Sequence, residues 1–311
     1  MRVAILGRSE LLWNTAQHLI SEGHSIALVV TARSESHYAI KEADFKSLAE
    51  ECGANYFCSQ TLNSPEILTQ LRASKSDIAI TVNWPNLIGK EACDSFPNGI
   101  LNGHAGDLPR YRGNACPNWA IINGEETVVM TIHQIDPEGI DTGDIIVNTT
   151  LPLSNDVYIN DIYEWLNAIT PKLFSDAIRG IEDETLQPVP QSSDPALSLR
   201  CYPRKPEDGR IDWTQSTRSI HALIRASSRP FSGSFCTLES GETVYIWSAD
   251  LRPDEPPFLA VPGQILYREH GCVVVACSNG ALKITDATLS HEEGSAEAMS
   301  TLVKSVRARL Y

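Results

Sequence analysis

Asn102 and His104 stand two residues apart in the run Ile100-Leu-Asn-Gly-His-Ala-Gly-Asp-Leu-Pro-Arg-Tyr-Arg-Gly113. In extended chain this spacing turns both side chains to one face, so a hydrogen-bonding amide lies beside a group that titrates near neutral pH. Gly103, Ala105 and Gly106 leave room around them, and Asp107 to Gly113 reads as a turn carrying two guanidinium groups. Open α/β sheets place their ligands in such polar clusters at the carboxyl ends of strands, although the same two residues would also serve as strand caps. Further along, Asp136-Pro-Glu-Gly-Ile-Asp-Thr-Gly-Asp144 gathers carboxylates beside Gly139 and Gly143. The spacing is not that of an EF-hand, which favours a tight loop presenting one buried carboxylate over a calcium site.

The surrounding elements read as a carrier for these groups. Arg2 to Leu6, the turn Gly7-Arg8-Ser9 and a helical pattern ending at Gly23 open a βαβ unit. The helix start offers backbone N–H groups to an anion, with Arg8 beside it, but the Gly-x-Gly-x-x-Gly fingerprint of a dinucleotide site is absent. Strands follow at Ser25 to Thr31 and Asp77 to Val82, with a short segment Asn55 to Phe57 between them and helices at about 44–52 and after Ser64-Pro65. This alternation predicts a parallel sheet covered on both faces. Asn83 to Gly89 is an apolar loop suited either to a flat aromatic ligand or to plugging the space between helices. A helix over 115–123, strands over 127–135 and 145–151 and a long helix over 157–180 complete the first part, in which His133 reads as a plain strand residue. Residues 181–208, rich in Pro, Ser and charge, read as a linker between a domain at 1–180 and a second at 209–311. There a helix over 217–226 and five short strands at about ten-residue spacing predict a small β-barrel, with 300–310 as a closing helix.

Composition narrows the function. The chain has 311 residues, 42% hydrophobic and 21% charged, and no apolar run approaches a membrane span, so a cytoplasmic protein is expected. Its eight cysteines form no Cys-x-x-Cys pair and no zinc spacing, which suits reduced thiols and no metal. The net charge of −14 lies in residues 1–195, which hold 12 Lys and Arg against 26 Asp and Glu, while 196–311 hold 13 of each. Neither part has the basic excess of a nucleic-acid binder, so a small-molecule substrate is the better expectation.

Asn102-Gly-His104, then Leu108-Pro-Arg-Tyr-Arg-Gly113, then Gly139-Ile-Asp141-Thr-Gly-Asp144 resemble the signature of the folate-dependent formyltransferases. Gly209 to Trp213, His221 to Arg225, Pro230 to Phe235 and Pro262 to Leu266 are similar to the second domain of methionyl-tRNA formyltransferase and the sugar formyltransferases. The resemblance implies a Rossmann-like α/β domain followed by an OB-like β-barrel, and 10-formyltetrahydrofolate as the formyl donor to a primary amine. Asn102 would then hold the formyl oxygen. His104 would stabilise the oxyanion and assist proton movement, and Asp141 would favour protonated His104 and take up the amine's proton through water. Trp84, Asn86, Leu87 and Ile88, with Asp136, Gly139 and Ile140, match the segments that hold the pterin ring.

For the acceptor, the resemblance is nearest the enzymes that formylate nucleotide-linked amino sugars for cell-surface polysaccharides such as lipopolysaccharide O-antigen. Transfer RNA enzymes more often carry Ala-Ser-Leu-Leu-Pro after the histidine, where this chain has Ala105-Gly-Asp-Leu-Pro109. Gly7, Arg8 and Ser9, with Arg110, Arg112 or Tyr202, are the expected sugar-nucleotide contacts, although any of these arginines would equally serve as a surface charge. Methionyl-tRNA formylation is the alternative, followed by formyltetrahydrofolate hydrolysis and then by a catalytically silent folate-binding protein. The apolar strands of the second domain fit a homodimer contact or an internal core.

Overall fold

The computed structural model describes residues 1–35, 38–289 and 307–311. In chain order the first elements are β1 (Arg2–Gly7), α1 (Glu10–Ser21), β2 (Ser25–Thr31), α2 (Glu42–Cys52), β3 (Asn55–Cys58), α3 (Pro65–Ala73), β4 (Ile78–Val82), α4 (Lys90–Cys93) and β5 (Ile100–His104). They continue with β6 (Arg112–Gly113), α5 (Cys116–Asn123), β7 (Thr127–Gln134), β8 (Ile145–Pro152), α6 (Ile159–Glu182) and β9 (Arg200–Cys201). The last are α7 (Thr217–Ser227), β10 (Ser234–Thr237), β11 (Thr243–Leu251), β12 (Ile265–Glu269), β13 (Cys272–Cys277) and β14 (Gly280–Thr288).

The chain divides into two compact units, one of residues 1–116, 128–151 and 164–201, the other of 117–127, 152–163 and 202–311. The first is built on a seven-stranded sheet of order β3-β2-β1-β4-β5-β7-β8. Strands β1 to β5 run parallel and β7 is antiparallel to β5. The expected parallel-rich α/β sheet is present. Its apolar strands are sealed, with Ala4, Leu6, Leu28, Val30 and Ala79 fully buried in one cluster with Leu62 and Leu71. Side chains set the helix starts. The Ser9 hydroxyl accepts the Leu12 N–H at α1, Ser64 does the same for Ile67 at α3, and Pro65 fills the first turn. α2 begins two residues earlier than Asp44 because the Asp44 carboxylate accepts the Lys41 N–H at 2.7 Å and so sits in the first turn.

The second unit carries a five-stranded antiparallel sheet of order β10-β11-β14-β13-β12 around Trp213, Ile224, Val244, Ile246, Val273 and Leu282. Arg309 bridges to Gln264 and Leu310 to Leu238, so the C-terminal residues pair with chain at both edges of the sheet. They are extended and not helical as expected. The remainder of that expected helix, 300–306, lies outside the described residues.

Candidate active site

β5 ends inside the sheet, and its last three residues bring Asn102 and His104 to a cavity of about 380 Å³. Asp141 reaches the same cavity from the loop between β7 and β8, held in left-handed backbone at φ 54°. Its Oδ2 accepts the Gly113 N–H at 2.8 Å and lies 3.6 Å from His104 Nδ1, while its Oδ1 is 3.4 Å from Asn102 Nδ2. Asn102 and His104, singled out by residue type and spacing, and Asp141, singled out by the resemblance, therefore converge. Asn83, which also lines this cavity, likewise adopts positive φ.

The His104 ring is buried and its Nε2 lies 2.6 Å from the Tyr111 carbonyl oxygen. A carbonyl only accepts, so Nε2 carries the proton and neutral His104 turns the Nδ1 lone pair toward Asp141. Burial holds the His104 pKa below the usual histidine value, and Asp141, which pulls it up, does not fully offset this. The expected preference for protonated His104 is thus outweighed by desolvation. Burial pushes the Asp141 carboxyl up, yet it is held at about 2, with the Gly113 N–H on its Oδ2 among the groups that favour the anion. A neutral base beside a carboxylate can accept a proton and keep the resulting cation stable.

Trp84, Asn86, Leu87, Ile88, Asp136, Gly139 and Ile140 line this one cavity with the three polar residues. Asn63 holds the first loop, donating to the Leu87 carbonyl and accepting from Gly89 N–H, and Asn86 donates to the Gln60 carbonyl. Asp136 braces the second, accepting from Glu138 N–H at 2.9 Å and the Thr142 hydroxyl at 2.7 Å. Two cavity residues keep polar atoms unspent, since Thr81 Oγ1 and Trp84 Nε1 are buried without a hydrogen-bond partner among the described residues.

The formyl transferase family matches over residues 1–178, and the C-terminal domain of that family over 204–306. The chain belongs to the formyl transferase family. Methionyl-tRNA formyltransferase of Agathobacter rectalis is 31% identical over 292 residues, which are 93% of this chain and 92% of that protein. Among solved structures, the N-formyltransferase of Helicobacter canadensis in complex with folinic acid and dTDP-3-aminofucose has a TM-score of 0.67 at 16% identity, covering 93% of this chain and all of that one. HypX of Aquifex aeolicus in complex with tetrahydrofolic acid has a TM-score of 0.62 at 20% identity, over 92% of this chain but only 44% of HypX.

The residues expected to meet a sugar nucleotide are less unified than Asn102, His104 and Asp141. Ser9 is the buried N-cap of α1, and Arg8 donates through one nitrogen to the Arg33 carbonyl and pairs with Glu35, both at 2.8 Å. Gly7 pairs with Val82 across the sheet, and a Cβ there would meet the Leu12 side chain. Arg112 is spent on Gln191 Oε1 and the Ser198 hydroxyl, and Arg110 lies over the Tyr111 ring. Tyr202 belongs to the second unit and is exposed.

Two residues were missed. His133, read as a plain strand residue, is fully buried with its Nε2 3.0 Å from Asn102 Nδ2 and 3.6 Å from Asp141 Oδ1. Gln191 lies in the 181–208 stretch read as a linker, yet it donates to the carbonyls of Asp141 and Gly143. A histidine close to the end of a mostly apolar strand, two residues after Thr131, was the available signal for the first. Nothing local marked the second.

Proposed function

We propose that this chain moves a formyl group from 10-formyltetrahydrofolate to the primary amine of a nucleotide-linked amino sugar. The observation that carries the choice of acceptor is charge: residues 1–195 hold 12 Lys and Arg against 26 Asp and Glu. Such a surface repels a polyanion but admits a single diphosphate. The donor fits the cavity on its own chemistry. Apolar Leu87, Ile88 and Ile140 flank it beside the polar Asn102, His104 and Asp141, which suits a flat ring with polar edges.

The bound donor supplies the formyl carbon. Asn102 holds the formyl oxygen through an N–H, and His104 faces the charge that develops there. The Nδ1 lone pair of His104 accepts the proton that the attacking amine must lose, and Asp141 stabilises the imidazolium that results. A neutral amine is itself a nucleophile, so no side chain of this protein needs to form a bond to the formyl carbon. Gly7, Arg8 and Ser9, with Arg110 and Arg112, remain the proposed contacts to the sugar nucleotide, Arg8 and Arg112 exchanging their present partners for it.

Mass spectrometry of nucleotide-linked amino sugars incubated with enzyme and 10-formyltetrahydrofolate tests this reading. One sugar gains a formyl group with the wild type and not with His104→Asn. No gain on any sugar sinks it. The second reading, methionyl-tRNA formylation, is favoured by the full-length 31% identity to the Agathobacter rectalis enzyme. It predicts formylation of charged initiator tRNA with a rate that falls steeply with salt.

A further inference from the structure

We infer that His133 is a positioning residue that decides which end of the Asn102 amide faces the reacting formyl oxygen, an inference that rests on the proposed formyl transfer. The antiparallel register of β5 and β7 pairs Asn102 directly with His133. Next to it in β7, the Gln134 carbonyl oxygen lies 2.7 Å from His133 Nδ1. That oxygen can only accept, so Nδ1 carries a proton, and in the neutral ring Nε2 keeps its lone pair. Asn102 Nδ2 lies 3.0 Å from this lone pair and donates one of its two protons to it.

The second amide proton then has a defined direction. It points to Asp141 Oδ1 at 3.4 Å, a long contact that a better-placed acceptor can replace. A flipped amide would set its oxygen against both a lone pair and a carboxylate, and that arrangement is repulsive on two sides. His133 therefore keeps an N–H, and not the amide oxygen, available to the formyl group. Its ring is wholly buried and meets His104 edge-on at a centroid distance of 6.0 Å, so it acts through Asn102 and not on substrate. The charged and titratable groups around it are Asp141 and His104.

Two replacements separate this role from packing. His133→Phe keeps a ring without an acceptor, and His133→Gln keeps an acceptor oxygen near the Nε2 position. With folded protein verified by circular dichroism, kcat of His133→Phe is expected to fall about 10- to 100-fold with KM for donor and amine little changed, and His133→Gln to recover most of it. Wild-type kcat in His133→Phe, or equal loss in both variants, would overturn the assignment. Nitrogen-15 NMR of the imidazole in the free wild-type protein needs no substrate. A ring protonated on Nδ1 alone supports the proposal, and one protonated on Nε2, alone or together with Nδ1, defeats it. Should the wild type formylate no amine, the acceptor reading fails while the NMR result still decides His133.

Discussion

Asp141 and His104 pull in opposite directions on one proton. Burial lowers the His104 pKa and Asp141 raises it, so the working neutral ring persists to a pH below the ordinary histidine midpoint of 6.5. kcat/KM should therefore rise with pH through an acid limb lying below that value and then level off. Asp141→Asn removes the raising influence and must shift the limb to lower pH, while kcat falls by about 10²- to 10⁴-fold because the imidazolium loses its partner. A pH–rate series on both proteins reads the shift, and a limb moved upward would contradict this geometry. Gly106 is a second residue-scale constraint, because a Cβ there would meet the Tyr111 carbonyl oxygen and the His104 ring. Both are fixed, one as backbone and one as a buried ring. Gly106→Ala should cost about 1–3 kcal/mol and disturb the His104 contact, seen as a lower unfolding midpoint together with reduced kcat.

Elements place these residues by register and by staples. The pairing of Asn102 with His133 exists only because β7 runs antiparallel to β5, and that pairing is written in no local stretch. The i, i+2 spacing of Asn102 and His104 was legible because strand geometry alone brings two such side chains together. Asp141 needed more, since its loop holds several carboxylates and only the resemblance singled one out. Gln191 illustrates the limit most clearly. Its amide donates to the carbonyls of Asp141 and Gly143 at 2.8 and 2.7 Å, while its oxygen accepts twice from Arg112. One side chain thus ties the Asp141 loop to β6, whose Gly113 N–H binds the Asp141 carboxylate. Polar sequence around it looked like tether because hydrogen bonds to backbone leave no hydrophobic period to read. Gln191→Ala should lower kcat about 5- to 50-fold through misplacement of Asp141, with a smaller effect on donor KM, as steady-state kinetics would show. Unchanged kcat would mean that the loop holds itself.

Across the whole chain, the alternation of strands and helices gave the parallel-rich sheet, since periodicity and turns are local signals, and ten-residue strand spacing gave the second β unit. The turn after β1 shows what such signals leave open: Ser9 and Arg8 suit an anion site by type, yet one is a helix cap and the other pairs with Glu35. Charge is a whole-molecule property and predicts little salt dependence of kcat/KM between low and physiological ionic strength, against a steep fall for a polyanionic acceptor. The pairing of Arg309 and Leu310 has a further consequence, for assembly. Thr237 and Tyr311 exchange two backbone hydrogen bonds, at 2.8 and 2.9 Å, beside the Leu238 bridge, and Leu310 N–H donates to the Gly263 carbonyl near the other edge. Removing 309–311 would strip this cover from β10 and from the approach to β12, leaving open strand edges that recruit other chains. Light scattering should then report self-association that grows with concentration.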